Sequence, residues 1–110
     1  GVDVRLTFDA ARLQGIRSTP GSAFDLILQN TLEEGRLSFS AATFGQPVSG
    51  RLNLVTLTLK ALSPTPGTVL HLAEVDATDE TGRSVVGNTH DGTVQIGASF
   101  KVLYLPLLMR

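Results

Sequence analysis

Hydrophobic and polar residues alternate along most of this 110-residue chain. Val2, Val4, Leu6 and Phe8 are interleaved with Asp3, Arg5, Thr7 and Asp9. Successive side chains of a strand point to opposite faces, so this period of two predicts a half-buried strand. The same pattern predicts strands over 22–29, over 36–41 and, longest of all, over 51–62. In that last segment the phase changes. Leu52 and Leu54 share one parity, whereas Val55, Leu57 and Leu59 share the other. A β-bulge near Leu54–Val55 would return them to a common face and leave Thr56, Thr58 and Lys60 outward. Further strands are predicted over 69–75, 83–86 and 93–96. Turn formers separate them at Glu33-Glu34-Gly35, 44–50, Ser63-Pro-Thr-Pro-Gly67, Asp79–Gly82 and Asn88–Gly92. Only residues 9–15 hint at a helical turn. Seven short strands in this arrangement predict an all-β fold, an antiparallel β-sandwich with jelly-roll topology.

Composition narrows the function classes. A hydrophobic fraction of 42% with a net charge of -1 argues against disorder. Nine basic residues scattered among ten acidic ones provide no patch for nucleic acid. The absence of Cys excludes disulfides, zinc ribbons and thiol catalysis. His71 in a predicted strand and His90 in a predicted turn do not make a zinc site, which wants three or four ligands. Counting from Asp76, the sixth residue is Thr81 and the twelfth Gly87, so the calcium-loop pattern fails. Glu33-Glu34 and Asp79-Glu80 are adjacent carboxylates in turns, poorly placed for glycoside hydrolysis. No metal, cofactor or catalytic residue is therefore expected. Phe8, Phe24 and Phe39 fall on predicted core faces. Phe44 is the one loop aromatic before the tail, and there is no Trp, so a flat aromatic platform for sugar rings is not expected.

Four segments in order resemble a cohesin, the dockerin-binding module of cellulosome scaffoldins. Val4-Arg-Leu-Thr-Phe-Asp9 with Leu13 and Pro20-Gly21 is similar to that family's Phe-x-Leu-x-Tyr-Asp-Pro segment and the Leu and Pro-Gly that follow it. Ser22–Ala42 resembles the next hairpin, Gly50–Lys60 the strand after it, and Gly67–Ile96 the closing stretch. Phe8-Asp9-Ala10 departs from the pattern by lacking the Pro. The match covers about residues 2–97. It implies a cohesin-like sandwich domain over 1–97, without the two strands that precede this point in the family. In the family those strands lie mid-sheet, opposite the dockerin-binding face. Without them the last matching strand would stand about 10 Å from its neighbours, two strand widths away. Residues 98–110 form an apolar tail, with nine apolar residues among the twelve of 98–109. Two expectations stand for the tail: Phe100–Leu105 forms an extra or swapped strand in that space, in its own chain or in a homodimer joined through 98–110, or the tail is an apolar linker or anchor at the end of a surface protein.

The resemblance also implies a function and a surface. It implies a non-enzymatic module, extracellular or on a bacterial cell surface. Such a module binds a dockerin-like protein and so tethers polysaccharide-degrading enzymes or surface components. The strands matching 2–9, 36–41, 51–60 and 83–86 would share the binding sheet. Its outward positions would be Asp3, Arg5, Thr7, Arg36, Ser38, Ser40, Asn53, Thr56, Thr58 and Arg83. Asp3 falls where many cohesins carry an acidic dockerin-contacting residue. The alternatives are a carbohydrate-binding module of similar fold, taking a polysaccharide through polar groups, and a structural spacer in a surface protein.

Overall fold

The computed structural model describes residues 1–44, 50–97 and 102–109, the last segment with side chains at 106–108. Eight strands are formed: β1 (Val2–Thr7), β2 (Leu13–Pro20), β3 (Leu26–Glu33), β4 (Arg36–Ala42), β5 (Leu52–Ala61), β6 (Thr65–Ala77), β7 (Gly92–Ile96) and β8 (Val102–Met109). They make two antiparallel sheets, ordered β3-β4-β1-β6-β7 and β2-β5-β8. One hydrophobic core lies between them. It is built from the inward parity of each strand: Val2, Val4 and Leu6 of β1, Leu37, Phe39 and Ala41 of β4, and Leu57 and Leu59 of β5. Phe8 is buried with them, and Phe24 packs against them partly exposed.

The Glu33–Arg36 connection is a two-residue turn at Glu34-Gly35. Gly35 has φ +74°, the left-handed conformation that hairpin turns need and that a Cβ resists. Its carbonyl accepts the Phe8 N–H at 2.9 Å. Residues 9–12 form one tight turn, in which the Asp9 carbonyl accepts the N–H groups of Arg12 and Leu13 at 3.0 Å. That turn accounts for the helical hint. The chain then enters β2, which the pattern did not predict. Only Leu13 of β2 is buried, and the register slips between Gly15 and Arg17, so alternation is erased. Likewise β3 begins at Leu26 rather than at Ser22. Most of it is exposed, and a bulge between Ile27 and Gln29 breaks its phase.

The bulge expected in β5 is present. Register against β8 shifts between Asn53 and Val55, and both Leu54 and Val55 are buried. Thr58, in contrast, is 4% exposed despite its outward parity. It sits on the central strand, with Arg17 and Tyr104 in register on either side. The longest strand is β6, which starts inside the predicted break at 63–67. Pro66-Gly67 makes a bulge between Thr65 and Thr68 rather than a loop. Thr65 Oγ1 meets the Gly67 backbone there. No strand forms over 83–86: a single bridge joins Thr78 to Ser84, and the Asp79 N–H donates to the Arg83 carbonyl and the Val85 N–H to the Ala77 carbonyl. Asp79 Oδ1 accepts from the N–H groups of Thr81 and Arg83 and from the Thr81 hydroxyl.

The two ends of the sandwich differ. At one, β2 meets β3 across the sheets. Asn30 Nδ2 donates to the Ser18 carbonyl at 3.0 Å, and Ser18 Oγ donates to Asn30 Oδ1 at 2.6 Å. At the other, β7 and β8 each have one hydrogen-bonded neighbour, β6 and β5 respectively. Thus β7 is not displaced from a neighbour as the two-strand gap would require. β8 runs antiparallel to β5 of the same chain, from Lys60↔Val102 to Leu52↔Met109.

Candidate functional site

The outward positions of the five-stranded sheet line up in three cross-strand rows. Gln29, Ser40, Asp3 and Asp76 form the first. Thr31, Ser38, Arg5 and Glu74 form the second, and Glu33, Arg36, Thr7 and His71 the third. Each row crosses β3, β4, β1 and β6. The inward partners of these residues are the core apolar set, so period two alone puts polar groups here. Opposite Arg5 and Leu6 of β1, Ala73 is an extra, unpaired residue of β6, and this bulge puts His71 on the same face as Glu74 and Asp76.

Side chains tie the rows together. Arg5 Nη1 lies 3.1 Å from Glu74 Oε2, and Arg36 pairs with Glu33. Ser40 Oγ donates to Asp3 Oδ1, and Ser84 Oγ donates to Asp76 Oδ1 at 3.1 Å. His71 Nδ1 is 2.8 Å from Asp91 Oδ2. The other Asp91 oxygen accepts the Leu72 N–H at 2.8 Å. The hydrogen bond to His71, followed by that N–H, holds the Asp91 carboxyl below the usual carboxylate range. The Thr81 hydroxyl, then the N–H groups of Arg83 and Thr81, do the same for Asp79. A trough of about 280 Å³ opens on this face, lined by Asp3, Arg5, Gln29, Ser38, Ser40 and Glu74 with the Val4 backbone strand beneath. The short serines of β4 form its low ground, and no aromatic residue lines it.

Six of the ten residues expected on one surface are brought together: Asp3, Arg5, Thr7, Arg36, Ser38 and Ser40. Asn53, Thr56 and Thr58 are not among them. β5 belongs to the opposite sheet, so these three point away from the rows. Asn53 Nδ2 donates to Thr56 Oγ1 on its own strand, and Thr58 is buried. Arg83 is exposed in the loop after β6 rather than in a strand of this face. Period two fixes which side of a strand a residue occupies but not which sheet the strand joins, and that is where the expectation failed.

Gln29, Thr31, Glu33, His71, Glu74 and Asp76 belong to the face and were not assigned to it from the sequence. Glu74 lies in the strand predicted over 69–75 and Asp76 shares its parity just past that strand's end, which was a usable signal. Gln29, Thr31 and Glu33 had none, because this edge strand is mostly exposed and the polar Asn30 stands between them, so no apolar alternation marks its faces.

Elsewhere, a second hollow of about 380 Å³ lies at the end of the sandwich between β2 and the β3–β4 turn, among Leu13, Leu32, Leu62 and Glu34. Phe44 is 73% exposed and lies beyond the end of β4, where its N–H reaches Asp25 Oδ1 at 3.2 Å. Among the described residues, no three His, Asp or Glu side chains converge on one point. Comparison of the chain with protein-family models finds no match, and comparison with curated proteins finds none either.

Proposed function

We propose that this chain is a non-catalytic, extracellular recognition module of the cohesin-like jelly-roll kind. In this reading it presents the outer face of β3-β4-β1-β6 to a dockerin-like protein partner. The partner would bring polysaccharide-degrading enzymes or surface components to the module. The observation that carries this reading is the face itself. Four adjacent strands form one continuous polar surface, and Asp3, Arg5, Thr7, Arg36, Ser38 and Ser40 lie together on it in register. A mixed polar surface with Arg and carboxylates suits a specific and partly wet protein interface. The pairing of 2–7 with 36–42 agrees with the shared sheet that the cohesin resemblance implies for those two segments. The position of β5 in the opposite sheet departs from it.

A glycan-binding reading has one observation in its favour, the trough of hydrogen-bonding side chains over Ser38 and Ser40. The lack of an aromatic in its lining weighs against it, since sugars are usually held by stacking on a ring face. Capture of secreted proteins on immobilised full chain tests the preferred reading. A specific protein should be retained, and it should be lost with Asp3→Ala or Arg36→Ala while circular dichroism is unchanged. Retention that survives both substitutions and a charge reversal at Asp3 would place the interface elsewhere.

A further inference from the structure

The hollow at the end of the sandwich has walls and a rim of opposite character. It opens where the start of β2 meets the β3–β4 turn, with a volume of about 380 Å³. Leu32 at the end of β3 and Leu62 just past β5 wall it, above the fully buried Leu13 of β2. Leu32 is only partly buried and Leu62 is 41% exposed, so the walls face water. Both sheets contribute to the hollow, and Ala10, Gly15 and Gly35 are too small to fill the space between them. The exposed rim is acidic. Glu33 and Glu34 line it, and none of the lining residues is basic. Arg36 engages the Glu33 carboxylate, whereas Glu34 enters no ion pair among the described residues. Gln14, also exposed, adds an amide oxygen that accepts hydrogen bonds.

We propose that this hollow is a binding site for an aliphatic cation, the Lys side chain of a protein partner. The site goes beyond the sheet-face reading and does not depend on it. The four-carbon stem of the lysine lies along Leu32 and Leu62 and takes their exposed surface out of water. Its ammonium, a compact charge with three donors, sits at the mouth beside Glu34 and Gln14, where it keeps part of its hydration. Both halves of the ligand are matched in this way, the apolar walls by the stem and the unpaired carboxylate by the cation. An acidic side chain would meet two carboxylates of its own sign and be repelled. A purely aliphatic side chain would cover the leucines but would take water from Glu34 without replacing it by a partner.

The test titrates the full chain, isotope-labelled, with Nα-acetyl-lysine N-methylamide, its neutral counterpart Nα-acetyl-norleucine N-methylamide and the acidic Nα-acetyl-glutamate N-methylamide. The lysine probe should bind tightest. It should shift the amides of Gln14, Gly15, Glu34, Gly35 and Leu62, while those of Asp3 and Ser40 on the polar face stay in place. Added salt should weaken it and leave the norleucine probe unchanged. Glu34→Gln should weaken the lysine probe about two- to fivefold, the range of an exposed ion pair, and leave the norleucine probe within about 1.5-fold. Glu80→Gln, an equal charge change in the loop after β6, should leave both probes within about 1.5-fold. Leu62→Ser should weaken the lysine and norleucine probes alike, with circular dichroism unchanged for every variant. The proposal is overturned by the absence of a saturable shift with the lysine probe, by shifts spread over the surface, or by norleucine or glutamate binding as tightly as lysine. An effect of Glu34→Gln no larger than that of Glu80→Gln overturns it equally.

Discussion

Adjacent residues of a regular strand cannot both face the core, yet Leu54 and Val55 do. Leu54 is 6% exposed and Val55 is fully buried. The register slip between Asn53 and Val55 is what permits it. Truncating each in turn therefore measures the bulge. Leu54→Ala removes a buried isopropyl group and leaves a cavity, which costs about 2–5 kcal/mol in well-packed cores. Val55→Ala removes two methyl groups, about 1.6 kcal/mol of transfer free energy at about 0.8 per carbon, plus a cavity contribution. Thr56→Ala, half-buried on the outward side, should stay within about 0.5 kcal/mol. In a domain of this size each kcal/mol lowers the melting temperature by about 4–8 °C. Leu54→Ala should thus melt at least about 8 °C below the parent and Val55→Ala about 6 °C or more below it. Urea titration followed by circular dichroism, with an unchanged m value, would confirm that stability and not the unfolded state has moved. If either Leu54→Ala or Val55→Ala behaves like Thr56→Ala, the strand alternates strictly and the bulge argument fails.

Two further outcomes follow from local geometry. A Cβ added at Gly21 would lie 1.9 Å from the Asn53 carbonyl oxygen, and the Gly21 N–H donates to the Leu54 carbonyl at 2.8 Å, so Gly21→Ala must push β2 off β5. It should be among the most destabilising single substitutions in a thermal melt, and a parental melting temperature would refute the close approach. Asp91 has its folded-state pKa depressed, chiefly by the hydrogen bond to His71, so the stability it contributes is complete above the unfolded carboxylate value of about 3.9 and is lost as pH falls below that through the folded value. Asp91→Asn should therefore flatten the acid limb of the stability curve below about pH 4, and an acid limb identical to the parent's would refute the clamp.

The core was readable from the chain because burial and strand geometry share a period. Val2, Val4, Leu6, Leu37, Phe39, Leu57 and Leu59 announce themselves by alternation, and the same parity puts Asp3, Arg5, Thr7, Ser38 and Ser40 outside. Even the β5 bulge is visible, as a change of phase between two apolar sets. β2 and β3 are poorly legible for the converse reason. They lie at sheet edges, bury few side chains and carry bulges, so no sustained period survives. The Pro66-Gly67 pair misleads because a bulge in a long strand uses the same residues as a loop.

Sequence alone determined that this is an all-β chain and which residues of β1 and β4 turn inward. Those properties are local, since they depend on side-chain alternation and on turn chemistry. Tertiary structure decided which strands are neighbours. It put β5 across the core from β1, which removed Asn53, Thr56 and Thr58 from the candidate surface. It also put β6 beside β1, which brought Asp76 against Asp3. Strand pairing is set by long-range packing of faces that look alike in sequence, so no pattern within one strand specifies its partner. The meeting of Asp3 and Asp76 across β1 and β6 exists only at that level.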